Sequence, residues 1–175
     1  EVLCEEACVR NVAEDTAVEI GSLQRYAVDH LMERDLPHPF KRAPKTGKTI
    51  AVVGAGPAGL SCAHRAAMLG HDVVVFEAKP KPGGLNEYGL AAYKMTNDFA
   101  QREVEFLMGI GGIEIEYNKA LGKDINLADL KAKYDAVFVG VGLGSTNDLG
   151  LKGEDFPGVD DAITFIEKLR QTEPA

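Results

Sequence analysis

Three glycines at fixed spacing, Gly54, Gly56 and Gly59 in the hexapeptide GAGPAG, stand between a β-branched run, Ile50 to Val53, and an alanine-rich stretch, Leu60 to Leu69. The first stretch has the propensity of a strand and the second that of a helix, which Gly70 then stops. Asp72 to Phe76, a second short run of Val and Phe, reads as a buried parallel strand. Strand, glycine turn, helix and strand within about 30 residues make a βαβ unit. Gly54 permits the tight turn, Gly56 lets the backbone approach a pyrophosphate, and Gly59 lets helix and strand pack closely. Pro57 fits the first helical turn, where a missing N–H costs nothing, and the free amides beyond it face the phosphates. Ala55 and Ala58 fill the turn between these residues.

Glu77 closes the second strand, where a carboxylate accepts hydrogen bonds from both hydroxyls of an adenosine ribose and disfavours a 2′-phosphate. Together these features point to a dinucleotide site; a structural βα turn in some other α/β fold is the alternative. Gly83 and Gly84 follow Glu77 by six and seven residues. A second backbone approach there suits the longer FAD molecule, whereas the plain alternative is an ordinary turn. The glycine pair, and the apolar strand ending in glycine in YDAVFVGVG (134 to 142), resemble the pattern of flavoprotein reductases with two dinucleotide sites. FAD is therefore favoured over NAD at this turn.

The rest of the chain divides into three stretches. Residues 1–36 hold Cys4 and Cys8 and a helix expected from about Ser22 to Glu33. Residues 37–48 carry three prolines (Pro37, Pro39, Pro44), Gly47 and the basic residues Lys41, Arg42, Lys45 and Lys48 beside His38, the composition of an extended linker. Residues 49–175 continue the α/β pattern. An amphipathic helix is expected from about Asn97 to Ile110, with Phe99, Phe106, Leu107 and Ile110 on one side. Ile113, Ile115 and Tyr117 alternate with acids as in a half-exposed strand. Ala136 to Val141, apolar throughout, should lie deep in the sheet, and Asp161 to Arg170 reads as a last helix. The expected fold is thus an α/β, Rossmann-like FAD-binding domain, with a parallel sheet that further strands would complete, behind a small helical segment.

Composition narrows the function. The net charge of −8 shows no dominant basic face, which argues against nucleic acid or an anionic membrane surface as partner. No apolar run approaches the roughly 18 to 20 residues of a membrane span and no signal core opens the chain, so a cytoplasmic protein is expected. Glu1 in place of Met, opening directly on a cysteine-containing segment, reads as a cut. Three cysteines cannot make a disulfide framework and suggest ligands or buried thiols. Cys62, inside the helix after the glycine turn, reads as a packing residue. Spacing alone leaves Cys4 and Cys8 open between incidental thiols and part of an iron–sulfur site, which generally needs four ligands.

CEEACVRN, EIGSLQRYA, the basic linker, GAGPAGLSCA and GGLNEYGLAAYK together resemble the flavin subunit of bacterial NAD-dependent dihydropyrimidine dehydrogenase, over nearly the whole chain. The small subunit of glutamate synthase shares the architecture; Gln24, sixteen residues after Cys8, and the ending AAYK at Lys94 point to the dihydropyrimidine branch. The resemblance implies a 4Fe-4S cluster with a glutamine ligand beside its cysteines, which falls on Cys4, Cys8 and Gln24, the remaining ligand lying before Glu1. It implies flavin contacts at Gly54 to Ala58, Glu77, Gly84, Leu85, Lys94 and Leu121. Lys94 replaces an arginine of the mammalian-type enzymes, so a bidentate contact becomes a single flexible charge. Leu121 is placed across a one-residue length difference and reads equally as ordinary core.

The resemblance further implies that NADH reduces the FAD, that iron–sulfur clusters take the electrons singly, and that a catalytic pyrimidine-reducing subunit, in a hetero-oligomer, receives them. No catalytic acid or base is expected in this chain, and His30, His38, His64 and His71 read as surface or packing residues. A second glycine turn for the nicotinamide nucleotide is expected beyond Ala175, so these residues alone are not expected to oxidise NADH. Two rivals remain. One is a glutamate synthase small subunit or related reductase; the other is a nucleotide-binding module without redox function.

Overall fold

The computed structural model describes residues 3–14, 16–34, 36–144 and 146–172; Glu1 lies outside them. The chain forms two compact units, Glu1–Pro37 and His38–Ala175. In the first, α1 (Leu3–Glu6), α2 (Val9–Ala13) and α3 (Ile20–Met32) are short helices with no fully buried residue, and the third starts two residues before the expected helix.

The second unit is built on a four-stranded, wholly parallel sheet in the order β3-β2-β1-β4. β1 (Thr49–Val53) leads through the glycine turn into α4 (Pro57–Met68) and then β2 (Asp72–Phe76), the expected βαβ unit. The short α5 (Leu85–Tyr88) follows, and then α6 (Phe99–Met108). α6 starts later than Asn97 because Asn97 and Asp98 both have left-handed backbones, with φ of 57° and 53°, which no helix continues through. β3 (Ile113–Glu116), α7 (Leu127–Lys133), β4 (Ala136–Val139) and α8 (Ala162–Gln171) complete the unit.

Successive residues of β1 point to opposite faces, and both faces are covered. On one, Val52, Val73 and Val75 pack with Leu60, Ala63 and Ala66 of α4 and Val104 of α6, with Cys62 partly buried against them. On the other, Ala51, Val53 and Phe76 pack with Leu130 and Tyr134 around α7. The small side chains of α4 bring the helix close to the strands, and that closeness shapes the turn at its start.

The expectation that Ala136 to Val141 lies deep in the sheet is corrected. Among the described residues β4 pairs with β1 alone, and Phe138, Val139 and Val141 are 36%, 47% and 59% exposed. A run of apolar residues reports the need for cover and cannot by itself distinguish a central strand from an edge. The stretch 38–48 is extended and is held along the second unit. Ala43 N–H donates to Met68 O at 2.9 Å, Thr46 N–H to Gly70 O at 3.0 Å, and Lys48 pairs with Asp135 at 2.8 Å. Among the described residues no helix is long and apolar enough to cross a membrane.

Candidate functional site: a corner of main chain at the strand ends

β1 is followed in sequence by β2 on one side and bordered by β4 on the other, so the carboxyl ends of β1 and β4 flank the point where the strand order reverses. In open α/β sheets that crevice receives ligands. The glycine turn sits there. Gly54, with φ of 100°, lies so close to Gly140 at the end of β4 that a Cβ would strike the Gly140 carbonyl. A Cβ on Gly59 would strike the carbonyl of Gly54, and its next neighbour would be Val52 Cγ1 at 3.2 Å. Three stretches of main chain therefore meet with no side chain between them. Gly56 differs, because a Cβ there would meet nothing nearer than Gly84 Cα at 3.8 Å. The space over Gly56 is open.

Ala55 is fully buried and its main chain is bonded on both sides. Its N–H donates to Glu77 Oε2 at 2.7 Å, and its carbonyl accepts the Gly83 N–H at 2.7 Å. Glu77 is itself buried, and its Oε1 accepts the Lys79 N–H at 2.9 Å. The acid closing β2 and the glycine pair are thus both braced against the first turn. Gly84 is the N-cap of α5, and Leu85 beside it is exposed. α4 begins at Pro57, and the N–H groups of its first turn, at Ala58 and Gly59, have no acceptor within the helix.

Of the residues singled out in the sequence, Gly54, Ala55, Gly56, Pro57, Ala58, Gly59, Glu77 and Gly84 are brought into this one corner. Lys94 is exposed, with its Nζ 5.8 Å from the centre of the Tyr93 ring. Leu121 is 37% exposed, in a loop after β3 whose Lys119 N–H donates to Glu77 O at 2.8 Å, so it is not ordinary core. No hydrogen bond among the described residues joins Lys94 or Leu121 to the glycine turn. Gly140 belongs to the corner too, and the glycine ending an apolar strand was its signal.

In the first unit Cys4 lies on α1, Cys8 is the N-cap of α2 and Gln24 lies on α3. Both thiols are free. Hydrogen bonds from the backbone at Val18 and then at Arg10 hold the Cys8 thiol below its ordinary pKa, a direction that favours the ligand form. Among the described residues no three His, Cys, Asp or Glu side chains are grouped to hold a metal ion.

Residues 48–174 match the family model described as "Pyridine nucleotide-disulphide oxidoreductase". The chain belongs to this family. Within it, the chain is 40% identical over 164 residues to the glutamate synthase [NADPH] small chain of Escherichia coli, covering 94% of this chain and 34% of that one. It is 32% identical over 173 residues to the NAD-dependent dihydropyrimidine dehydrogenase subunit PreT homolog of Salmonella typhi, covering 99% of this chain and 41% of that one. Among solved structures, FprA of Mycobacterium tuberculosis in complex with NADPH is similar at a TM-score of 0.59 and 27% identity, over 71% of this chain and 28% of that one. The chain spans about a third of the length of the first of these relatives.

Proposed function

We propose that this chain is the FAD-binding part of an NAD(P)H-dependent oxidoreductase subunit. In the intact protein it accepts reducing equivalents from a nicotinamide nucleotide and delivers them to iron–sulfur clusters, for reduction of a pyrimidine such as uracil or thymine by a partner subunit in the cytoplasm. The observation that carries the reading is the corner itself, where the glycine turn, the end of β2 and the Gly83–Gly84 turn meet around the open space over Gly56. Bound FAD would supply the exchange between two-electron and one-electron transfer. The residues do the holding. The amides of Ala58 and Gly59 at the start of α4 would hold the pyrophosphate, and Glu77, whose oxygens each keep a further lone pair, would accept from the ribose. Gly84 and Leu85 would border the flavin, and Lys94 and Leu121 would reach it from exposed positions.

Cys4, Cys8 and Gln24 fit a cluster site in chemistry, two soft thiolates and an amide, and a fourth ligand would come from elsewhere in the intact protein. The 40% identity to a glutamate synthase small chain favours a second reading, in which the same flavin corner serves a different acceptor. The test is the visible spectrum of the full-length protein, before and after anaerobic NADH or NADPH. Flavin bands on a broad iron–sulfur background, bleached by the nucleotide, are expected; a colourless protein that ignores both nucleotides overturns the proposal. Uracil-dependent NADH oxidation with the partner subunit separates the first acceptor from the second.

A further inference from the structure

The short helix after the glycine pair carries a carboxylate in an unusual setting. Glu87 is 3% exposed, yet it lies one turn from the surface loop it follows. Gln101 of α6 donates to its Oε2 at 2.9 Å and, through the same amide nitrogen, to Pro82 O at 2.9 Å. Gln171 of α8 donates to its Oε1 at 3.0 Å. Lys81 and Arg170 add positive charge at 3.6 and 3.7 Å. Arg170 also donates to the main-chain carbonyls of Glu87 and Leu90, at 2.5 and 3.0 Å. Burial alone would push the Glu87 carboxyl up, but the amides of Gln171 and Gln101 and the charges of Lys81 and Arg170 outweigh it, so the group is held ionised below its ordinary value.

The partners converge on one segment. The Glu87 Cβ is the nearest atom to where a side chain on Gly83 would stand, at 3.0 Å, and the Glu87 N–H donates to Gly84 O at 3.1 Å. Farther back, Lys79 spans from the Tyr88 ring, 4.1 Å from its centre, to Glu167 of α8 at 2.6 Å. Almost every polar contact of α8 outside its own turn therefore falls between Lys79 and Leu90, the stretch that contains the glycine pair. The half-buried residues of α8 are Ile163 and Ile166 together with Glu167, Arg170 and Gln171, so polar contacts share the packing of this helix, and a buried carboxylate with four partners is costly to leave half-satisfied. Such a network specifies one arrangement of the segment rather than merely adding stability.

We infer that Glu87 is a positioning residue, through which α8 fixes the Gly83–Gly84 turn against the glycine turn at Ala55. The cofactor side of this inference rests on the flavin reading; the mechanical side does not. The last helix, far along the chain, sets the geometry of a turn that sequence places with the first half of the fold.

The test uses the full-length protein and two readouts. Arg170→Met and Gln171→Leu should speed hydrogen exchange at the amides of residues 83–90 by about tenfold or more while β1 and β2 are unchanged, because the loss is local. The same variants should raise the Kd for added FAD by a similar factor, a turn held out of place costing affinity without removing any contact. Glu87→Gln should do the same, and the reciprocal pair Glu87→Gln with Gln171→Glu, which restores a hydrogen bond between the same two positions, should recover both. Unchanged exchange in the single variants overturns the inference, as does faster exchange with unchanged FAD affinity, or a reciprocal pair no better than its parents. A wild-type protein that binds no FAD sinks the flavin reading instead, and leaves the exchange result to judge the clamp by itself.

Discussion

Ala55 and Glu77, 22 positions apart in the chain, share a hydrogen bond of 2.7 Å in which the buried main-chain N–H of the glycine turn donates to the buried carboxylate that ends β2. The acid proposed to hold the ribose is therefore also a brace of the phosphate turn. Glu77→Ala should weaken FAD binding by about 1–3 kcal/mol through lost charge-assisted hydrogen bonds, with a lower unfolding temperature of the apoprotein because Ala55 loses its acceptor. Glu77→Gln keeps an oxygen for Ala55 and should retain more stability than affinity. Titration of FAD fluorescence beside thermal unfolding separates the two effects, and unchanged affinity in both variants would show that the ribose is held elsewhere.

Two glycines of the turn should fail in different ways. Gly59→Ala drives a methyl group into the carbonyl of Gly54 and should cost about 1–3 kcal/mol or more in stability, seen as a lower denaturant midpoint. Gly56→Ala meets no protein atom within ordinary contact except Gly84 Cα at 3.8 Å, and its backbone (φ −79°, ψ 179°) suits any residue. It should leave the midpoint unchanged and still lose FAD, since its methyl group occupies the open space over the turn.

Acid should weaken the second unit through His64. This residue is 8% exposed, its Nε2 has no partner among the described residues, and His38 faces it with ring centres 6.0 Å apart. Burial first, and the His38 charge second, lower its pKa, so the folded state favours the neutral ring. The sign follows from linkage: this contribution is complete above the unfolded pKa of about 6.5 and is lost as pH falls through the lower folded value. Unfolding temperatures measured from pH 7.5 to 5 should fall on acidification, and His64→Phe should flatten that slope. An equal slope in the variant would assign the pH dependence to other groups.

Thiol chemistry should divide the cysteines. Burial raises the Cys62 pKa, whereas Cys4 is exposed and Cys8 is lowered. In protein freed of any cluster by chelation and reduction, iodoacetamide at neutral pH should modify Cys8 and Cys4 well before Cys62, as followed by peptide mass. Early loss of Cys62 would mean that α4 opens more readily than its packing against Val52 and Val75 implies.

The part of the fold that was legible in the sequence is the part made by short-range rules. β1, the glycine turn, α4 and β2 are adjacent in the chain, and their glycines and β-branched runs act within a few residues of where they stand. The depth of β4 was not legible, because apolar composition at Phe138 and Val139 is the same for a central strand as for an edge, and only pairing distinguishes them. α7 was missed although Asn126, which accepts the Asp129 N–H at 2.9 Å, is a cap with a helical signature three residues on. Within the corner, the meeting of Gly54 with Gly140 and of Ala55 with Glu77 depends on strand order. The contacts of Glu87 with Arg170 and Gln171 span more than 80 positions and follow no spacing at all.

The corner where Gly54, Gly59 and Gly140 touch is written in main chain, and main chain is the one part of a protein that point mutation cannot rewrite directly. A change of preferred electron acceptor would have to be encoded elsewhere, in side chains such as Lys94 and Leu121 that stand outside the corner, or in surfaces that do not touch it. The corner behaves as a fixed socket: a side chain at Gly54 or Gly59 would run into main chain, and the Glu77 carboxylate braces the turn between them.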